Sequence, residues 1–247
     1  MTQDRVPEFA IPYPDDSRED YMRLEKETGP IVCILDTKHP EVIARQWHHT
    51  ENLKRRAAEL TGLPCLLIHY TWLRLVNLNR SNIKAVMINP NVKPINTSYT
   101  ESLYAFVRTT AIPTIGFCGG HHQVYQAFGG ICEDMRMLHP GEPDPNPDYQ
   151  PGWFKEWGFM PVEITKPDPL FTDLGKEIIV RLEHVSHCTR VPADFEVLAR
   201  TAECPVQALK HRNKLLYSTQ FHPEAYDDEH LDGRIVLRDF FALAGIA

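Results

Sequence analysis

The stretch Ile115-Gly116-Phe117-Cys118-Gly119-Gly120-His121 reads as an apolar strand running through a glycine turn straight into a helix over 121–128. So tight a turn needs glycine, because side chains there would meet neighbouring backbone. The same strand-then-helix step recurs upstream. Residues 31–36 (Ile-Val-Cys-Ile-Leu-Asp), 65–69 (Cys-Leu-Leu-Ile-His) and 85–88 (Ala-Val-Met-Ile) are short unbroken apolar runs. That pattern marks strands buried on both faces. A helical stretch over 41–60 separates the first two and stops at Gly62 and Pro64. A second, over 99–109, precedes the strand at 113–117. Four strand–helix alternations predict βαβ units and a parallel sheet covered on both sides.

Downstream the pattern changes. Residues 136–170 contain eight prolines, among them Pro140, Pro143, Pro145, Pro147 and Pro151, and predict a long exposed loop or flap. Strand-like runs follow at 178–183, 195–200, 206–210 and 215–221, with short spacers that predict antiparallel strands. An amphipathic helix over 232–244 comes last, and no internal repeat is present. Residues 1–29 are charged and Pro-bearing, with one helix-like stretch over 16–27, and read as an N-terminal extension packed on a domain of residues 30–247. The expected fold is α/β: a mainly parallel central sheet flanked by helices, with appended antiparallel strands.

Composition narrows the function classes. The 247 residues are 43% hydrophobic and 24% charged, and a chain of this size buries roughly 70% or more of its unfolded surface without a disulfide or metal staple. Thirty-three acidic against 26 basic side chains, net −7, argue against a nucleic-acid surface. Lys54-Arg55-Arg56, the densest basic run, reads as a solvated helix face. No apolar run nears the ~18–20 residues that span a bilayer, and the polar start Met1-Thr2-Gln3-Asp4-Arg5 is unlike a signal peptide. No membrane partner is therefore expected, and the location expected is cytoplasmic. Cys33, Cys65, Cys118, Cys132, Cys188 and Cys204 show no metal-finger spacing and fit reduced thiols. The pairs His48-His49 and His121-His122 face different directions on a helix, so neither suggests a shared ion; no metal or cofactor is expected.

The chemistry lies in two places. Gly116-Phe117-Cys118-Gly119-Gly120 has the strand–turn–helix setting of a nucleophile elbow, with cysteine in the serine position. A helix N-terminus favours the thiolate, and the amide of Gly119 can form half of an oxyanion hole. The plain alternative is a buried cysteine in a glycine-rich turn. The second place is Tyr217-Ser218-Thr219-Gln220-Phe221-His222-Pro223-Glu224, a histidine just past a strand with a carboxylate two residues on. His222 is the candidate base for the thiol proton, and Glu224 the carboxylate that orients its ring.

Together these motifs resemble the class I glutamine amidotransferases, over roughly residues 30–245. The resemblance includes Phe128-Gly129-Gly130 after the elbow helix and Pro192-Ala193-Asp194-Phe195-Glu196-Val197-Leu198-Ala199, which is most similar to the amidotransferase domain of GMP synthetases. It implies a Cys118–His222–Glu224 triad, attack on a glutamine-type side-chain amide, a γ-glutamyl thioester, and release of ammonia. No synthetase domain follows the last helix, so an ammonia acceptor would be a separate synthetase subunit. The alternatives are a freestanding hydrolase of γ-glutamyl compounds and a non-catalytic subunit keeping the fold. Three positions depart from the family pattern. The glutamine expected four residues after the cysteine is His122, with Gln123 next to it. The family's Gly-Gly-Pro oxyanion loop reads Ile88-Asn89-Pro90-Asn91, where Pro90 has no N–H to give, so either Asn89 or Asn91 supplies the donor or the loop runs differently; Asn91 is the candidate. The substrate segment, often His-x-Asp-Ser-Val, reads His184-Val185-Ser186-His187-Cys188, making His184, Ser186 and His187 candidate contacts. Trp153 and Trp157 in the Pro-rich segment could wall a pocket for a larger substrate.

Overall fold

Strand β1 (Ile31–Asp36) shows why the sheet forms where it does. All six of its residues are buried. Ile31, Cys33 and Leu35 enter one apolar core while Val32 and Ile34 enter a second on the opposite face. An unbroken apolar run is what a strand with two covered faces requires. The structure, a computed structural model, describes the backbone of residues 15–38, 40–74, 76–90 and 97–246, and the side chains of these except 15–18, 40–49 and 97–99. In it β2 (Cys65–His69) and β3 (Ile83–Ile88) flank β1 in parallel, and β4 (Thr114–Phe117) and β11 (Leu216–Thr219) extend the parallel array in the order β2-β1-β3-β4-β11.

The helices supply the other half of each core. On the first face lie α1 (Asp15–Lys26), α3 (Thr97–Thr109) and α4 (Gly119–Ala127), contributing Leu24, Leu103, Phe106, Val124 and Tyr125. On the second lie α2 (Pro40–Thr61) and α5 (Asp232–Leu243), contributing Leu53, Ala57, Val236, Leu237 and Phe240. Helix α2 ends at Gly62, whose φ of 66° suits the left-handed stop that glycine adopts without strain. Helix α1 is tied down by Asp20, whose carboxylate accepts hydrogen bonds from the Leu67 N–H at 2.9 Å and from Lys54 at 2.5 Å.

Beyond β11 the sheet turns antiparallel through β10 (Ala208–His211), β9 (Phe195–Arg200), β6 (Glu156–Ile164) and β7 (Glu177–His184). The α/β class read from the sequence holds. The run at 215–221, expected among the antiparallel strands, instead supplies β11, which pairs parallel with β4 and antiparallel only with β10. Two further corrections apply. The Pro-rich stretch is not a loop throughout, because residues 156–164 form β6, paired with β7 from Glu156↔His184 to Glu163↔Glu177. Pro161 is tolerated because β9 pairs with β6 only at Glu163 and Ile164, so the strand has one neighbour at that point. The second correction is a separate two-stranded sheet of β5 (Ile131–Asp134) and β8 (Ser186–Arg190). Periodicity does not reveal it because Ile131-Cys132-Glu133-Asp134 is short, polar at its end and largely exposed. Among the described residues no helix is long and apolar enough to cross a membrane.

Candidate active site

Strand β4 delivers Cys118 to the N-terminus of α4 in a backbone conformation rare for any side chain, φ 46° and ψ −107°. The glycines around it are steric necessities. A Cβ on Gly116 would lie 2.6 Å from the Gly120 carbonyl oxygen, and one on Gly120 would lie 2.9 Å from the Ile88 carbonyl carbon. The helix can therefore start flush against β3 and β4 only if both positions lack side chains. Gly119, as the first residue of α4, has no acceptor within the helix for its N–H. The Cys118 N–H donates to the Thr219 carbonyl at 2.8 Å, which locks the elbow to the end of β11.

That strand end carries the candidate acid–base pair. The His222 N–H donates to the Arg181 carbonyl of β7 at 2.8 Å, fixing the backbone. Pro223 then opens a short 3₁₀ turn, Pro223–Ala225, which folds Glu224 back beneath the histidine. Glu224 Oε1 lies 2.7 Å from His222 Nδ1, with both side chains about nine-tenths buried. The other ring nitrogen, Nε2, is buried without a hydrogen-bond partner, and the ring interacts with the Cys118 side chain. Burial pulls this imidazole towards neutrality, but the Glu224 carboxylate and then Cys118 more than reverse it. His222 is held well above its ordinary value of 6.5.

Two cations that sequence reasoning missed support this corner. Arg56 is not a solvated residue: its guanidinium donates to the carbonyls of Glu224 and of Tyr226, the latter at 2.6 Å, and stacks 4.0 Å over the Tyr226 ring. Of the basic run only Arg55 stays on the helix surface, paired with Glu59 at 2.7 Å. Lys38 lies just past β1 and is 2% exposed, donating to Thr50 Oγ1 at 2.5 Å with Asp36 3.9 Å away. Burial lowers its pKa, against the opposing pull of Asp36 and Glu224. A cavity of about 340 Å³ reaches Lys38, Asn89, Arg181, His222 and Glu224, and Cys118 is not among its lining residues.

The predicted substrate contacts are placed unevenly. His122, half-buried, has Nε2 2.9 Å from Gln220 Oε1 and Nδ1 3.5 Å from Cys132 Sγ. Gln123 is buried with its Oε1 unpartnered. Ser186 donates to Asp134 at 2.7 Å, and His187, opposite Glu133 in the small sheet, keeps a buried unpartnered Nδ1. His184 does not fit a substrate contact: it is 2% exposed, with Nε2 2.9 Å from Glu156 and Nδ1 3.1 Å from the Ser186 carbonyl. Asn89 does not offer an oxyanion donor, because its N–H is donated to the Leu35 carbonyl at 3.1 Å and its side-chain amide to Asp36 at 2.9 Å. Asn91 lies outside the described residues, and so do the side chains of His48 and His49. Of the paired Trp candidates, Trp157 sits in β6 with its ring 5.7 Å from that of Tyr149.

Glu156, His184 and Cys204 bring three donor atoms within 4.8 Å of one another, all buried. They do not fit a metal well. The Glu156 oxygens already accept from Thr201, from Gln207 at 2.6 Å and from His184, while burial keeps the Cys204 thiol protonated. A cation would have to break those bonds.

Residues 47–243 match the model of the glutamine amidotransferase class-I family, and the chain belongs to that family. It is an enzyme of the cysteine amidohydrolase kind, in a family that works with a Cys-His-Glu triad. Among its relatives, a subunit of the glutamine-hydrolysing GMP synthase of Pyrococcus abyssi is 28% identical over 171 residues, covering 69% of this chain and 81% of that one. The corresponding GMP synthase subunit of Methanococcus vannielii is 23% identical over 197 residues, covering 77% and 89%. Among solved structures, a chain assigned as a GMP synthase subunit from Thermoplasma acidophilum superposes with a TM-score of 0.69 at 20% identity, over 89% of this chain and 96% of that one. A glutamine amidotransferase of Thermotoga maritima gives 0.55 at 14% identity, over 89% and 95%. At these identities the structural likeness is one of fold.

Proposed function

We propose that the chain is a glutaminase whose nucleophile is Cys118, with His222 as acid–base and Glu224 as its orienting partner. The observation that carries this reading is the His222 ring, held at Nδ1 by Glu224 and interacting with the Cys118 side chain. The Cys118 sulfur attacks the glutamine side-chain carbonyl carbon, and the oxyanion is met by the Gly119 N–H. The C–N bond breaks as the protonated imidazole gives its Nε2 proton to the departing nitrogen, so ammonia leaves and a γ-glutamyl thioester remains. Water, deprotonated by the now neutral imidazole, attacks the thioester, and the C–S bond breaks to free glutamate as its γ-carboxylic acid, whose proton passes to the released ammonia to give ammonium. The thiolate–imidazolium pair is restored, and atoms and charge balance.

The similarity to these GMP synthase subunits supports an ammonia-delivering role beside a separate synthetase subunit. The oxyanion loop supports the same reading. Pro90 has no N–H and that of Asn89 is engaged, so the second donor falls to Asn91, and a partner seated on the loop would set it. Losing one such donor typically costs ~10²–10³ in rate. Of the N-terminal extension read over 1–29, residues 1–14 lie outside the described residues, and the described part fits an extension of the one domain through the seat of α1 on β2. The test is ammonia release from glutamine and from a panel of γ-glutamyl compounds, with and without the synthetase subunit of the same organism, and with Cys118→Ala as control. Glutamine turnover that rises on adding the synthetase supports the proposal. A kcat/KM of roughly 10⁴ M⁻¹s⁻¹ or more for the isolated chain refutes the partner dependence. Preference for a γ-glutamyl compound over glutamine refutes the substrate.

A further inference from the structure

A chain of side-chain contacts leads away from the Cys118 sulfur. Gln220, fully buried, has its amide nitrogen 3.8 Å from Cys118 Sγ. Its amide oxygen is 2.9 Å from His122 Nε2, and His122 Nδ1 is 3.5 Å from Cys132 Sγ. Donor chemistry gives the chain one direction. An amide oxygen only accepts, so His122 must carry its proton on Nε2. A neutral ring then has a lone pair on Nδ1, which accepts from the Cys132 S–H. Burial, only partly opposed by the bond to Gln220, lowers His122 to about 4, so the ring is neutral near pH 7; burial likewise raises Cys132, so its thiol keeps the proton. With its oxygen committed to His122, Gln220 can only present an N–H to the nucleophile.

We propose that His122 is a positioning residue for the Cys118 thiolate, acting through the Gln220 amide, with Cys132 holding the tautomer that this requires. This deepens the assignment of Cys118 as nucleophile and rests on it. The reversed amide would be chemically coherent too: Nδ1–H of His122 facing the Cys132 sulfur, and the Gln220 oxygen facing Cys118, where it would oppose a thiolate. The opposite sign of the effect separates the two. The other groups facing Cys118 are His222, the Glu183 carbonyl, Cys132 and Tyr149. Those facing His122, besides Cys132, are His121, Tyr125, His184, His187 and Asp134. Asp134, the one carboxylate in this group among the described residues, accepts from Ser186.

The test is the pH dependence of iodoacetamide alkylation of Cys118, resolved by peptide mass spectrometry on the whole chain, with thermal unfolding to establish that each variant is folded. Gln220→Met is expected to raise the alkylation midpoint by about one pH unit, a tenfold loss of thiolate below it. His122→Phe is expected to move it the same way, and the double variant no further than Gln220→Met alone, since one residue acts through the other. Cys132→Ala is expected to raise the midpoint and Cys132→Ser, which keeps a donor, to leave it in place; this pair carries the test if His122→Phe does not fold. An unmoved midpoint, additive shifts, or a falling midpoint overturns the proposal, the last showing the reversed amide. No labelling of Cys118 in the wild-type chain overturns the nucleophile assignment instead, so the two failures are distinct.

Discussion

The end of β11 and the first turn of α4 each place an imidazole near Cys118, and the two rings are held in opposite charge states. His222 is held by a carboxylate 2.7 Å away and stays above 6.5, while His122 is held by an amide and a thiol and falls to about 4. Burial pushes both rings towards the neutral form, so what separates them is the Glu224 charge. An imidazole that must exchange protons needs a charged partner. One that must hold an amide still is better kept neutral.

The largest effects test the charged side. His222→Ala is expected to reduce glutamine turnover by about 10³-fold or more, and Glu224→Gln by about 10²-fold, because the ring stays present but loosely held. The double variant should be no slower than His222→Ala, as groups acting as a unit are not additive. Steady-state ammonia release measures all three, and equal, additive losses would break the contrast drawn above.

The next largest effect concerns the elbow, which sets His122 relative to Cys118. Gly120→Ala forces a methyl against the Ile88 carbonyl and should cost about 1–3 kcal/mol in urea unfolding. Unchanged stability would mean that α4 can retreat from β3, and the neutral side would then be softer than described.

The sharpest comparison is in pH. A raised histidine contributes stability that is fully present below ~6.5 and is lost as pH rises through its folded value. The stability gap between wild type and Glu224→Gln should therefore narrow on the alkaline side. For His122 the sign reverses: between about 4 and 6.5 the unfolded chain binds more protons, so stability rises with pH across that window. His122→Phe should flatten this limb. Thermal unfolding from pH 4 to 9 reads both, and parallel profiles for the two variants would refute the assignment of opposite charge states. The smallest effect expected is from Arg56→Met, about 1 kcal/mol, since it removes charged hydrogen bonds from the Glu224 turn while α5 still packs on Pro223 through Gly233.

What could be read from the sequence follows the range of the interactions. The elbow is local as a motif: Gly116, Cys118 and Gly120 lie within five residues, although the carbonyl that excludes a side chain at Gly120 belongs to Ile88 of β3. The His222–Glu224 pair is local in the same sense. The parallel strands are legible because burial on both faces leaves unbroken apolar runs. The gaps in legibility are long-range. Arg56 meets Glu224 across 168 positions and Gln220 meets Cys118 across 102, and no periodicity reports such pairings. Strand β6 is hidden by Pro161, which is harmless only because β9 stops short of it. Strands β5 and β8 set Cys132 and Cys188 against the core, too short a face to mark them.

Cys118 occupies backbone angles that a glycine would hold at ease, at a strain of about 1–3 kcal/mol for a residue with a side chain. The proposed nucleophile thus sits at a position that strains its own backbone. Mutational drift therefore has a downhill direction at residue 118. A lineage released from the need for turnover would gain folding stability by exchanging the cysteine for glycine, less the ~0.5–1 kcal/mol of extra freedom glycine gives the unfolded chain. Only continued demand for the reaction opposes that slide.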